Sequence, residues 1–293
     1  MKIPLRSLLC AALLGFATTA QAQDDPNAAP GNDEIIVTGD LKEEPPRRPL
    51  QPETAKTSKA LASDAGIFAR CLNDSSLALQ RSVVEGHFRD RKTQMALDRL
   101  IRSHQGCYPR YHVPMRTKIG HFGICNPEMA GATRGYVDVV AGKADFKSEM
   151  SVCRALYDRL ALVEEVLHVY APHFMLTPAD TLNKETIARF RAREAVRGKF
   201  RSPMDRRFYN TIACMVQLAP QESVRLVRTR SSTEGETQLR NQIIAKASYC
   251  TNNAEKVSVD PPQFRGYVAD ALYHWTIAAK NVETLIPIEL SAR

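Results

Sequence analysis

Two pairs of cysteines with one spacing constrain this chain more than any other feature of its sequence. Cys71 and Cys107 lie 36 residues apart, and Cys214 and Cys250 repeat that separation. The apolar positions that correspond between the two stretches are Val83 and Val84 with Leu226 and Val227, and Leu100 and Ile101 with Ile243 and Ile244. If each pair forms a disulfide, the chain contains two stapled segments of equal length.

The tetrapeptide RGYV follows both stretches, at Arg134–Val137 and at Arg265–Val268. Matched cysteine spacings followed by an identical tetrapeptide predict a duplicated unit, with one copy over residues 64–146 and the other over residues 204–284. In each copy the glycine is expected to allow close backbone approach at the start of a last helix. The arginine of each copy is expected to hold loop carbonyl groups.

Apolar periodicity predicts helices throughout this domain. In segments 94–104 and 237–250, apolar residues recur at intervals of three and four. The strongest amphipathic stretch joins the two copies, and its apolar stripe is Cys153, Leu156, Leu160, Val163, Leu167 and Tyr170. A further helix is expected to begin after Thr177 or, alternatively, after Asn183. Because no alternating strand pattern follows residue 60, we expect an all-α fold of two disulfide-stapled helical repeats joined by a central long helix.

The N-terminal residues 1–22 are typical of a secretory signal peptide. Basic residues precede an apolar stretch from Leu8 to Ala17, and small residues end the segment at Ala22, where cleavage is expected. The apolar stretch is shorter than the roughly 18 residues of a membrane-spanning helix, so no stable membrane insertion is expected. We therefore expect a mature protein in the periplasm or secreted from the cell.

Cleavage would leave six cysteines, and an even number in an exported chain favours disulfides over catalytic thiols or a metal cluster. The cysteines expected in disulfides are Cys71, Cys107, Cys125, Cys153, Cys214 and Cys250. The repeat pairs Cys71 with Cys107 and Cys214 with Cys250, and elimination then pairs the other two.

Residues 23–57 are rich in proline and acidic side chains, which predicts a disordered leader ahead of a helical domain at 58–293. The chain carries +8, of which the signal peptide holds +2 and residues 23–63 hold −3, so residues 64–293 carry +9. A basic domain suits an anionic envelope polymer as a partner, although the same charge can simply promote solubility. We do not expect nucleic acid as a partner.

The segment between Cys107 and Arg134 is a candidate site because long loops in compact domains often carry function. Its candidate partner-binding residues interleave aromatic with basic groups and are Arg110, Tyr111, His112, Arg116 and His121. Histidines suit acid–base or metal chemistry, but no third ligand is defined, so neither a catalytic nor a metal site and no cofactor is expected. An envelope enzyme that uses the 108–125 loop is the alternative.

Two further features have a structural and a functional interpretation. Glu164 and His168 stand four residues apart on the central helix, which favours a satisfied structural pair over a pair of metal ligands. Segment 189–207 holds eight basic and two acidic residues. It is expected to form a solvated face or, alternatively, an anion-binding surface that includes Arg191 and Arg197.

The leader contains the stretch DEIIVTG at residues 33–39, with an acidic start, three β-branched residues and a Thr-Gly ending. The candidate partner-binding residues in it are Glu34, Ile35, Ile36, Val37 and Thr38. The stretch resembles the TonB box of TonB-dependent outer-membrane receptors, which pairs as an added strand with the periplasmic domain of TonB. The resemblance covers seven residues and implies a TonB-like partner; the receptor's plug and barrel have no counterpart, so transport is not implied.

These observations together predict an exported periplasmic protein that binds or adapts rather than catalyses, with a ligand that the sequence does not specify. The leader is expected to dock on TonB or a similar sheet edge. The alternatives are the envelope enzyme and an envelope protein that binds anionic polymers.

Overall fold

The computed structural model describes residues 52–72, 75–107, 133–140, 143–150, 154–254, 257 and 259–288, and it describes side chains in these ranges except at 52–57 and 133–150. Three helices precede the two strands: α1 (Pro52–Cys71), α2 (Leu77–Val84) and α3 (Arg91–Ser103). After the strands come α4 (Arg154–Tyr170), α5 (Pro178–Thr181), α6 (Lys184–Arg197), α7 (Pro203–Leu218), α8 (Pro220–Arg228), α9 (Glu234–Lys246) and α10 (Pro261–Lys280). Short 3-10 turns lie at Gln105–Cys107, Gly198–Phe200 and Ser248–Thr251.

Helix dominates the described residues, which confirms the all-α class. The exception is an antiparallel hairpin in which β1 (Thr133–Val140) pairs with β2 (Lys143–Met150) in a register that sets Thr133 opposite Met150. The first RGYV therefore lies in a strand, and the prediction that it opens a helix is wrong. The β-branched and aromatic residues around it favour a strand, whereas the alanine-rich sequence after the second RGYV favours α10.

The predicted central helix is confirmed as α4. Its apolar stripe is buried, with Leu156, Leu160, Val163 and Leu167 all less than 7% exposed. Helix α10 is also central, because its side chains from Gln263 to Ala278 are all buried. The two helices pack against each other and against α1, and the core surrounds them. Helix α4 also packs against α2, and α10 also packs against α7 and α8.

The segments between the paired cysteines fold into the same succession of elements. Cys71 is bonded to Cys107 and Cys214 to Cys250, with Cα–Cα distances of 5.7 and 5.9 Å, which confirms both predicted pairs. When Cys71 is aligned with Cys214, α2 and α8 begin at corresponding positions, and the 13-residue helices α3 and α9 begin and end at corresponding positions. We call residues 52–107 the first stapled unit and 203–251 the second. The expected pair of Cys125 with Cys153 lies outside the described residues.

Side-chain caps fix several helix starts. Asn183 accepts hydrogen bonds from the first turn of α6, and Asp260 accepts one from Gln263 at the start of α10. The two helix starts that the sequence offered as alternatives are both confirmed, because α5 begins directly after Thr177 and α6 begins directly after Asn183. None of the helices in the described part of the chain has the length and apolar character needed to cross a membrane.

Candidate functional site

Helices α4 and α10 each carry an arginine that holds the end of a short helix by its carbonyl groups. Arg159 donates to two carbonyls at the end of α2, at 2.9 and 2.8 Å, and Arg265 donates to three at the end of α8, at 2.9, 2.8 and 2.7 Å. The acceptors are Val84 and Gly86 for Arg159 and, at the corresponding positions, Val227 and Thr229 for Arg265, whose third acceptor is Leu226. Arg159 and Arg265 therefore bind carbonyl groups at corresponding positions of the two stapled units.

The two arginines also exchange carboxylate partners across the α4–α10 contact. Arg159 on α4 pairs with Asp270 on α10 at 2.9 Å, and Arg265 on α10 pairs with Glu164 on α4 at 2.7 Å. If Arg159 is aligned with Arg265, Glu164 aligns with Asp270. A reciprocal exchange of this kind is the contact pattern that a two-fold axis produces.

Contacts between aligned residues lie where that axis would pass. Gln263 donates to the hydroxyl of Tyr157 at 3.2 Å, and these residues occupy aligned positions. Gly266 lies against its aligned partner Leu160, where a Cβ on Gly266 would be 2.7 Å from Leu160 Cδ1. Gly266 is therefore required for close helix approach, as the sequence predicted for this glycine.

The two equivalent pairs lie in different environments. Asp270 is 1% exposed, because Arg197 and Arg201 also donate to its carboxylate, at 2.9 and 3.2 Å, and the ring of Tyr209 lies against both guanidinium groups. Burial disfavours ionisation of Asp270, but Arg159 and Arg197 outweigh it, so its pKa lies well below the usual range. We call this arrangement the buried cluster.

The buried cluster extends to α2 and α3 through a histidine. Asp205 accepts hydrogen bonds from His87 Nε2 at 2.9 Å and from the Tyr267 hydroxyl at 2.6 Å. His87 Nδ1 accepts from the backbone of Arg89, which assigns the ring proton to Nε2 of a neutral imidazole. Burial lowers the pKa of His87 to about 4, against the raising effect of its bond to Asp205.

The Glu164–Arg265 pair instead borders an open groove of about 1050 Å³. Glu164 is 21% exposed, in contrast to Asp270. The groove is bounded by α1, α4, the loop before α9, the first half of α9 and the start of α10. Its polar lining residues include Lys59, Ser63, Arg70, Glu164, Glu165, His168, Ser231, Ser232, Thr237 and Arg240.

Small side chains on α1 account for the groove. Ala62 and Gly66 line it, and the corresponding positions on α7 are held by Asp205 and Tyr209, which fill the buried cluster. A Cβ on Gly66 would meet only the tip of Arg70 Nη1, at 3.4 Å, so this side of α1 faces free space. The same helix position thus leaves a groove in one unit and completes a core in the other.

Three cations along the groove form no direct ion pair with a described side chain. Among the residues with described side chains, Lys59, Arg70 and Arg240 have no hydrogen-bond or ion-pair partner. Glu165 in the same lining likewise has none within the described ranges. Unpaired groups of both signs beside an open volume are suited to a polar ligand that carries donors as well as acceptors.

The wall formed by the loop before α9 is held in place by buried groups. The buried side chain of Glu236 accepts from the backbone of Ser232, and Thr233 accepts from the backbone of Glu236 at 3.3 Å, so the two side chains fix the start of α9. Ser232 has a φ of 61°, a conformation that non-glycine residues rarely adopt and that recurs at ligand sites. The groove is therefore preformed on this side.

A chain of hydrogen bonds links α1, α4 and α10 through Tyr157, which lines the groove. Gln263 donates to the Tyr157 hydroxyl, Tyr157 donates to Ser58 at 2.6 Å, and Ser58 donates to Asp260 at 2.5 Å. Burial raises the pKa of Tyr157 to about 12, and burial also raises the pKa of Asp260. These groups are mutually satisfied, so they position α1 rather than present reactive atoms.

The structure separates the predicted site residues. The loop residues Arg110, Tyr111, His112, Arg116 and His121, and the leader residues Glu34, Ile35, Ile36, Val37 and Thr38, lie outside the described residues. Glu164 and His168 are satisfied, but not by each other: Glu164 binds Arg265, and His168 Nε2 bonds to the Val227 carbonyl at 3.0 Å. No group of three His, Cys, Asp or Glu side chains in the described ranges is arranged to hold a metal ion.

The basic residues of segment 189–207 are divided between the surface and the interior. Arg191 is exposed, but Arg197 and Arg201 are buried at 7% and 5% exposure and form ion pairs in the buried cluster. Arg189 donates to the Ala278 carbonyl at 2.7 Å. The segment is thus a solvated face only in part: Arg191, Lys199, Arg206 and Arg207 are exposed. Acidic groups inside the fold bind Arg197 and Arg201, so the basic residues do not form one continuous surface.

A short sequence pattern shared by α4 and α10 indicates that these two helices are equivalent. Both central helices contain Arg-x4-(Asp/Glu)-x3-His, as Arg159, Glu164 and His168 in α4 and as Arg265, Asp270 and His274 in α10. The RGYV match drew attention to Arg134 instead, although Arg159 is the arginine with the same contacts as Arg265. The shared RGYV tetrapeptide therefore indicated the equivalent arginines less well than the shared spacing of the arginine, the carboxylate and the histidine.

Comparison with known proteins gives no relative: no family model, curated protein or solved structure matches this chain.

Proposed function

We propose that this chain is an exported, non-enzymatic binding protein whose ligand occupies the groove between α1, α4, α9 and α10. The observation that carries the proposal is the contrast between two equivalent places, one filled by Asp205 and Tyr209 and one left open by Ala62 and Gly66. An open volume of about 1050 Å³ with preformed polar walls is typical of a small-molecule or peptide site. We also propose that the two stapled units are copies of one ancestral unit, one of which kept or acquired the opening.

Export is supported by the N-terminal sequence and by the two intramolecular disulfides, which fit an oxidising compartment. Cell fractionation with N-terminal sequencing tests this part. A mature chain that begins at Gln23 in the periplasmic or secreted fraction is expected, and an uncleaved cytoplasmic chain would contradict it.

Binding in the groove is tested by calorimetric titration of the full mature chain with a panel of short basic, acidic and neutral peptides and sugar phosphates. We expect at least one class to bind the wild type. The variant Gly66→Tyr, which places a tyrosine at the position aligned with Tyr209, is expected to weaken that binding at least about tenfold. Met95→Tyr, at an exposed position on α3 away from the groove lining, is the matched control. Failure of every class to bind, or equal binding by Gly66→Tyr, would overturn the groove as the site.

The leader has a second binding role in this proposal, as a strand that docks on TonB or a similar sheet edge. Its support is the TonB-box-like stretch 33–39, whose β-branched residues favour an extended chain. A pulldown with the periplasmic domain of TonB is expected to retain the mature chain and to lose Ile36→Pro, because proline removes a strand hydrogen bond. Equal retention of both chains would remove this role.

A further inference from the structure

The chemistry of the ligand that the groove binds can be inferred from the buried cluster, which occupies the equivalent place in the other half of the fold. In the buried cluster, Asp270 receives two guanidinium groups in addition to that of Arg159, from Arg197 at 2.9 Å and Arg201 at 3.2 Å. At the aligned carboxylate Glu164, the described residues supply Arg265 alone. Glu164 therefore retains acceptor capacity toward the groove that Asp270 has used.

The first stapled unit has no cation to offer at the corresponding positions. Arg197 and Arg201 correspond to Thr54 and Ser58 when the cysteines are aligned. The hydroxyl of Ser58 is already bonded to Tyr157 and Asp260. The cations that complete the buried cluster thus have neutral residues at the aligned positions of the first unit.

A second carboxylate strengthens the negative side of the groove. Glu165 follows Glu164 on α4, lines the same volume and, within the described ranges, has no ion-pair partner. Two carboxylates that line one partly buried site favour a guanidinium or ammonium group, because such a group forms charge-assisted hydrogen bonds to carboxylates.

The unpaired cations on the opposite sides favour acceptors in the same ligand. Lys59 and Arg70 lie about 16 Å apart along α1, judged from the rise of a helix, and Arg240 faces them from α9. Ser63, Ser231 and Thr237 add hydroxyl groups to the lining. An extended peptide has carbonyl acceptors at regular intervals and can present one basic side chain to the carboxylates.

We propose that the groove binds an extended basic peptide segment of a partner protein, with an arginine or lysine side chain placed against Glu164 and Glu165. Its backbone carbonyls accept from Lys59, Arg70 and Arg240. This inference rests on the proposed function of the groove and assigns the ligand class. The peptide's basic side chain forms an ion pair with Glu164, as Arg197 and Arg201 do with Asp270 in the buried cluster.

The test is calorimetric titration of the full mature chain at low ionic strength with three blocked tripeptides, Ac-Gly-Arg-Gly-NH2, its neutral isostere with citrulline, and Ac-Gly-Glu-Gly-NH2. We expect the arginine peptide to bind at least about tenfold more tightly than the citrulline peptide, because the isostere lacks the charge. Glu165→Gln should weaken the arginine peptide about fivefold or more and leave the citrulline peptide unchanged. Glu283→Gln, at a 92% exposed position outside the groove, is the matched control.

The outcomes separate the ligand class from the site itself. Equal binding of the arginine and citrulline peptides, or preference for the glutamate peptide, would overturn the basic-peptide assignment and keep the groove, provided that Gly66→Tyr abolishes the binding. Binding that Gly66→Tyr leaves intact would overturn the site and the assignment together. The absence of binding by all three peptides would overturn the basic-peptide assignment alone, because the sugar phosphates of the wider panel test the groove separately.

Discussion

The Arg159–Asp270 and Glu164–Arg265 pairs occupy equivalent places on the two central helices, yet one is sealed and the other faces a groove. Around Asp270, two further arginines and a tyrosine complete a polar core in which every charge has a counterpart. Around Glu164, alanine and glycine replace the large residues, and unpaired charges line the open side. One arrangement of helices can therefore support a structural core or an open groove, depending on a few side chains of one helix.

The largest expected effect is on stability and separates the two carboxylates. Asp270→Asn leaves Arg159, Arg197 and Arg201 buried without their shared counter-charge and is expected to lower the free energy of unfolding by about 4 kcal/mol. Glu164→Gln is expected to cost about 1 kcal/mol, because Arg265 keeps its backbone acceptors. Urea denaturation of both variants measures the difference, and equal losses would contradict the contrast between the two sites.

The next effect is a pH dependence that belongs to the buried cluster. The pKa of His87 is about 4 in the folded chain and near 6.5 in the unfolded chain, so below pH 6.5 the unfolded chain takes up a proton that the folded chain does not. Stability from His87 is therefore present above pH 6.5 and is lost as the pH falls toward 4, by about 3 kcal/mol in total. His274, whose pKa burial and Arg197 also lower, adds to the same slope.

Denaturant titrations between pH 7 and pH 4 check this dependence. His87→Gln is expected to flatten part of the slope, because it removes one of the groups that titrate in this range. A slope that survives His87→Gln in full would place the titrating group elsewhere.

A smaller effect is expected at the contact between the central helices. In Gly266→Ala the added methyl group would lie 2.7 Å from Leu160 Cδ1 and 3.0 Å from Leu160 Cβ, which forces the helices apart at a cost of about 2 kcal/mol. Gly198→Ala is the matched control, because nothing lies within 4 Å of an added Cβ there. Thermal unfolding of both variants measures the effect, and an unchanged midpoint for Gly266→Ala would argue against the close approach.

The sequence predicted the helical class, both described disulfides, the central helix and the role of Arg265, because these depend on periodicity and cysteine spacing. It did not predict the hairpin at 133–150, where local strand preference outweighs an apparent repeat. It also did not predict the burial of Arg197 or the groove. Both depend on which side chains meet in space: a basic segment looks solvated until its acidic partners are known, and Ala62 or Gly66 looks unremarkable until Asp205 and Tyr209 are seen in its place.

The most direct measurement of the central claim is the unfolding free energy of the reciprocal variants Gly66→Tyr and Tyr209→Gly in one denaturant series. If the groove is the open counterpart of the buried cluster, Tyr209→Gly loses about 4 kcal/mol, because it leaves a cavity between the guanidinium groups of Arg197 and Arg201. Gly66→Tyr is then accommodated with a change within about 1 kcal/mol, since the new ring enters free space. A loss in Gly66→Tyr as large as that in Tyr209→Gly would show that the space beside α1 is already filled, and would contradict the account.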